Sequence, residues 1–140
     1  YLAELKSKSF TNLQQNDLLI TSDTIVWFDG MAIGKPKDNE DAFRMLKRMS
    51  GKKHCVYTSI SIKSMSFKKV FNDKTIVEFK EFTDEEINYY LDNFNPYDKA
   101  GSYGIQDWIG LIGVKRIEGS YFNVMGLPVH KLYKELLEIA

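Results

Sequence analysis

Between Asp38 and Met49 the apolar residues Ala42, Met45, Leu46 and Met49 recur at i, i+3, i+4 and i+7. Such a stripe covers one side of a helix and has to be buried against another layer. Asp38 is placed to cap the first turn and Gly51 to stop the last. On either side the period changes. Leu18 to Phe28 is β-rich and ends in Asp29-Gly30, a strong hairpin dipeptide, which predicts a short strand at Met31 to Ile33. Lys53 to Ile62 and Ser66 to Phe79 are rich in Val, Ile, Thr, Tyr and Phe, and Asn72-Asp73 inside the second reads as a turn, so two or three antiparallel strands are expected. Thr83 and Glu86 form a capping box for a second helix, with Ile87, Tyr90, Leu91 and Phe94 as its stripe and Pro96 as its end. A glycine-dotted loop from Asp98 to Gly110 then leads to strands near Leu111 to Ile117 and Ser120 to Met125. The last helix starts at Pro128, with Val129, Leu132, Tyr133, Leu136 and Leu137 apolar. Leu2 to about Leu13 is weakly helical. The interleaving predicts one α/β (α+β) domain over residues 1–140, a mixed twisted sheet with flanking helices.

Several functional classes drop out on composition. Nineteen basic and nineteen acidic residues cancel, whereas nucleic acid and anionic membrane surfaces select for a basic excess. The expected partner is therefore small, with no nucleic acid and no membrane. The longest apolar stretches fall far short of the ~20 residues that span a bilayer. A single cysteine, Cys55, and two histidines, His54 and His130, defeat every Cys/His zinc pattern on ligand count, so any metal is held by oxygens. The chain opens at Tyr1 in residues that already look helical, which predicts a segment missing before it.

Three places could carry chemistry. Ser22-Asp23-Thr24 interrupts the β-rich run LLITSDTIVWF, and an ionised Asp in a strand needs a compensating partner. It is either a strand-end or bulge Asp bonded to a backbone N–H, or a carboxylate that holds a divalent cation or activates water at the edge of a cleft. Lys35, fixed between Gly34 and Pro36, is either a solvated turn lysine or a point charge for phosphate; the surrounding GMAIGKP is not a P-loop, since its glycine spacing is one short and Pro36 stands where Ser or Thr is required. The loop DKAGSYGIQ, from Asp98 to Gln106, combines two charges, two glycines and one side-chain amide, a composition that lets backbone approach a ligand while the amide reads a hydrogen-bonding edge. His54 and His130 read as structural or exposed.

The blocks SDTIVWFDG, GKPKDNEDAFRMLKRMSGKKHCVYT, DKAGSYGIQ and GSYFNVMGLP, in this order and at these separations, resemble the Maf family, the septum formation inhibitor Maf-like proteins. The resemblance covers essentially the whole chain. It implies a two-lobed fold like that of inosine triphosphate pyrophosphatases, and a cytoplasmic, homodimeric nucleoside triphosphate pyrophosphatase that uses Mg2+ or Mn2+. By the same resemblance Asp23 is the proton acceptor, Thr24 and Gln106 set substrate choice, and Lys6 and Lys35 contact the triphosphate. The DKAGSYGIQ form is similar to the branch acting on dTTP and UTP. The alternatives are 7-methyl-GTP as substrate, or a non-enzymatic nucleotide-binding or cell-division regulatory protein. The family's serine- and arginine-rich N-terminal phosphate loop has no counterpart before Tyr1.

Overall fold

The structure, a computed structural model, describes all 140 residues. Its strands are β1 (Leu19–Phe28), β2 (Met31–Ile33), β3 (Lys53–Lys63), β4 (Lys68–Phe79) and β5 (Val114–Glu118), and its helices α1 (Leu2–Lys8), α2 (Asn39–Met49), α3 (Asp84–Phe94), α4 (Trp108–Gly113), α5 (Tyr121–Met125) and α6 (Val129–Ile139). The strands form one sheet in the order β2-β1-β3-β4-β5. The α/β (α+β) class is as expected, but every pairing is antiparallel. Helix α2 does cross between strands that run the same way, β2 and β3, yet β1 lies between them, so the crossover creates no parallel pair.

Local signals act where the sequence places them. Asp38 accepts from the Asp41 amide at the start of α2, and the Thr83/Glu86 capping box is closed at both ends. Elsewhere tertiary contacts override propensity. Asn72 and Asp73 are no turn: they lie mid-strand opposite Ser59 and Thr58, held by Lys131 of α6, whose Nζ reaches Asp73 Oδ1 at 2.9 Å and the Asn72 carbonyl at 3.0 Å. The chain reverses instead at Ser64–Phe67, where the Ser64 hydroxyl accepts from the Ser66 and Phe67 amides. The strand near Leu111 begins only at Val114, because glycines let α4 pack where no side chain fits. A Cβ on Gly110 would lie 1.8 Å from the Ile105 carbonyl oxygen, and one on Gly113 2.3 Å from the Phe82 ring. The expected strand from Ser120 to Met125 is helix α5, capped by the Ser120 hydroxyl and ended by Gly126 at φ 115°.

Two apolar clusters share the buried face of β3. The larger joins Val26, Val56, Val77 and Phe79 of the sheet to Leu46 and Met49 of α2 and to Ile87 and Leu91 of α3. The smaller joins Ile60 and Ile62 to Leu132 of α6. Between Val56 and Ile60 on the same strand stands Thr58, fully buried and polar. The stripe on α6 is only half used: Leu132 is buried, while Val129, Tyr133 and Leu137 are 48%, 64% and 58% exposed.

Candidate functional site

Strand β2 pairs with β1 only over Val26–Phe28, so the first part of β1 keeps an open edge, and α1 crosses there. Thr21 Oγ1 donates to the Ala3 carbonyl at 2.6 Å, and Lys6 Nζ donates to the Ser22 carbonyl at 2.9 Å. At this edge Asp23 finds its compensation. Its Oδ1 accepts from the Thr24 amide at 3.1 Å and pairs with Lys6 Nζ at 3.3 Å, while Oδ2 accepts nothing from the protein. Asp23 is thus neither at a strand end nor in a bulge: it stands mid-strand opposite Ser59, on the open edge, bonded to a backbone N–H and lining a cleft.

That cleft has a volume of about 430 Å3 and gathers Lys6, Asp23, Thr24, Lys35 and Gln106 from four separate stretches of sequence. Two glycines bring the distant stretches together. The Gly101 amide donates to the Gly34 carbonyl at 3.1 Å, which fixes the turn carrying Lys35 against the DKAGSYGIQ loop. Gly101 itself, at φ +73°, packs so closely that a Cβ would lie 3.2 Å from Val26 Cγ2. A Cβ on Gly104 would meet Lys99 Cε at 2.8 Å, Asp107 Oδ2 at 3.0 Å and Gln106 Cδ at 3.3 Å, so the bare glycine is what allows these three side chains to converge. Beyond the anticipated residues the cleft takes in Asp98, Lys99 and Tyr103, with Val26, Val56 and Val124 as apolar wall. Three lysines against two aspartates leave it net positive, which suits an anionic ligand with one apolar part. Lys99 stood in the singled-out loop, but nothing in the sequence distinguished it from its neighbours.

The loop is fixed from beneath by two tyrosines. Tyr90 of α3 donates its hydroxyl to Asp107 Oδ2 at 2.9 Å and accepts from the Gly104 amide at 3.1 Å. The Tyr103 hydroxyl lies 2.5 Å from His54 Nε2 in the core. Burial raises both phenols well above their ordinary range. Burial also lowers His54, to about 4, and its Nδ1 has no partner to receive a second proton. His54 is structural, as the sequence suggested. The unfolded chain takes up that proton near pH 6.5 and the native state near 4, so between these values the unfolded state binds more protons and stability falls on acidification. We expect about 3 kcal/mol of stability to be lost from pH 7 to 4 through this residue. Urea melts of wild type and His54→Gln at several pH values check this: the variant's curve should be flatter, and parallel curves would exonerate His54.

No group of three or more His, Cys, Asp or Glu side chains is placed to hold a metal ion, so the chain builds no all-protein cage. Mg2+ does not need one, because it commonly binds through one or two carboxylates together with substrate phosphates. The cleft carboxylate of Asp98 fits that kind of shared site and leaves Asp23 Oδ2 free.

Known proteins carry the same sequence framework. The dTTP/UTP pyrophosphatase of Christiangramia forsetii is 55% identical over 140 residues, covering 99% of this chain and 71% of the relative. That of Flavobacterium psychrophilum is 55% identical over 138 residues, with 98% and 71% covered. The Porphyromonas gingivalis (strain ATCC BAA-308 / W83) dTTP/UTP pyrophosphatase is 50% identical over 139 residues, with 97% and 70% covered. Since the Maf-like protein profile also matches residues 1–139, the chain belongs to the Maf-like protein family.

Proposed function

We propose that this protein hydrolyses dTTP and UTP to the nucleoside monophosphate and pyrophosphate. The observation that carries the reading is one cleft in which Lys6, Lys35, Asp23 and Gln106 meet, since a triphosphate, a water and a base edge each need one of these groups. The names of relatives at 50–55% identity support the same chemistry. Water adds through its oxygen to the α-phosphorus, the bond from that phosphorus to the bridging oxygen breaks, and pyrophosphate leaves. The unengaged Oδ2 of Asp23 takes the proton of the attacking water. Lys6 holds Asp23 in place and, with Lys35, offsets phosphate charge; positioning and charge stabilisation are most of what such a transfer demands. A divalent cation, Mg2+ or Mn2+, would be held by the Asp98 carboxylate and would supply further neutralisation of the triphosphate.

The reading extends to a cytoplasmic homodimer. The exposed Val129, Tyr133 and Leu137 of α6 support the self-association. Pyrophosphate release from UTP, dTTP, CTP, GTP and 7-methyl-GTP with Mg2+ or Mn2+ is the test. We expect kcat/KM for UTP and dTTP to exceed that for CTP at least ~10-fold. Binding without turnover would move the protein to the regulatory class, and preference for 7-methyl-GTP would reassign the base pocket.

A further inference from the structure

Thr24 lies in the cleft, yet what its hydroxyl can offer a ligand is decided by a residue behind it. Thr24 and Thr58 are directly opposite on β1 and β3, and their Oγ1 atoms lie 2.9 Å apart. Thr58 is fully buried and donates its single hydroxyl proton to the Asn123 carbonyl at 2.9 Å. A carbonyl can only accept, and a hydroxyl has one proton to give. The Thr24–Thr58 bond must therefore run from Thr24 to Thr58, and the Thr24 hydroxyl is left with only lone pairs facing the cleft. The Asn123 carbonyl is itself held in place. Its side-chain amide, fully buried, donates to the Val56 carbonyl at 3.1 Å and to Thr75 Oγ1 at 3.0 Å, and Thr75 passes its own proton to the Ser120 carbonyl at 2.8 Å. Every proton in this network has one direction.

Space for a ligand on Thr24 is also kept. Gly126, at φ +115°, follows α5, and a Cβ there would lie 3.5 Å from Thr24 Oγ1. Gly126 lines the same cleft, so its bare backbone leaves the lone pairs of Thr24 uncovered.

We propose that Thr58 is a positioning residue for specificity: by accepting from Thr24 while donating to Asn123, it makes Thr24 an obligate acceptor that selects a hydrogen-bond donor on the nucleoside. This rests on the cleft being a pyrimidine nucleotide site. Two donors of such a substrate have that chemistry, the N3–H of uracil or thymine and the sugar 3′-hydroxyl. Cytosine presents a bare N3 acceptor, which an acceptor-only Thr24 repels. Without Thr58 the Thr24 hydroxyl can rotate and donate, and the discrimination relaxes.

The test is Thr58→Val, nearly isosteric, and Thr58→Ser, which keeps the hydroxyl, each assayed on UTP, CTP and 3′-deoxy-UTP with thermal melts alongside. In Thr58→Val we expect the kcat/KM ratio of UTP to one of the two analogues to fall about tenfold, mainly through KM for UTP. A fall against CTP assigns the base N3–H as the donor, and a fall against 3′-deoxy-UTP assigns the sugar. Thr58→Ser should restore the ratio. A merely structural Thr58 lowers Tm and slows all three substrates alike; that result, unchanged ratios, or a folded Thr58→Ser that fails to restore them overturns the proposal. If wild type itself shows no preference for UTP over CTP, the pyrimidine reading fails and this proposal with it, whereas a wild-type preference with both the UTP/CTP and the UTP/3′-deoxy-UTP ratios left intact in Thr58→Val overturns this proposal alone.

Discussion

Asp23→Asn is expected to lower kcat for UTP at least ~100-fold, because a positioned general base contributes ~10²–10⁴, while the protein stays folded. The variant separates the two things Asp23 does. Its Oδ1 accepts from the Thr24 amide and from Lys6, and an asparagine carbonyl oxygen in the same place can accept both. What it cannot do is take a proton on the second atom, where an NH2 group now replaces the unengaged Oδ2. The loss of the ion pair costs little stability. The Lys6 side chain is 56% exposed and that of Asp23 26%, and pairs of that kind contribute about 0–1 kcal/mol. A kcat measurement with a melt on the same sample decides. Near-wild-type kcat removes Asp23 from the role of base, and an unfolded variant makes it a structural strand-edge residue only.

Helices α2 and α3 and their ends were legible because their signals are local. Asp38, Thr83 with Glu86, and Pro96 act within a turn of where they stand, and the period from Ala42 to Met49 needs no knowledge of the rest of the chain. Asn72-Asp73 misled because a turn propensity can be overruled by a partner 59 residues away in sequence, the Lys131 ammonium that reaches the Asn72 carbonyl. Ser120 to Met125 misled for a related reason: Tyr, Phe and Val favour strands, yet burying the Asn123 amide against β3 and β4 settles the segment as helix. In the cleft, Asp23, Lys35 and Gln106 stood out as anomalies of charge or amide in their local context. Lys6 entered only through family resemblance, since a lysine on a short helix announces nothing. Thr58 was invisible: threonine is an ordinary strand residue, and only the directions of its hydrogen bonds give it a role.

Gln106→Glu is expected to lower the ratio of kcat/KM for UTP over CTP by about tenfold, because it changes a group that both donates and accepts into one that only accepts. Gln106 is exposed into the cleft and makes no hydrogen bond within the protein, so both ends of its amide are available to a ligand. Uracil and thymine present an N3–H donor beside the O4 acceptor, and the amide complements the two together. Glutamate still accepts from N3–H but sets a carboxylate against O4, an unfavourable contact in place of a bond. Cytosine offers its amino group at that position, which glutamate accepts, so CTP loses less. Electrostatics around the loop sharpen the contrast. The Gly104 backbone holds Lys99 and Asp107 beside residue 106, so the new carboxylate is drawn to Lys99 and repelled by Asp107, and neither force restores a donor. Thermal stability should stay within about 0.5 kcal/mol of wild type, as for other surface positions. A folded variant whose UTP/CTP ratio is unchanged shows that the base is read elsewhere, with Thr24, whose hydroxyl Thr58 orients, among the polar groups that line the cleft.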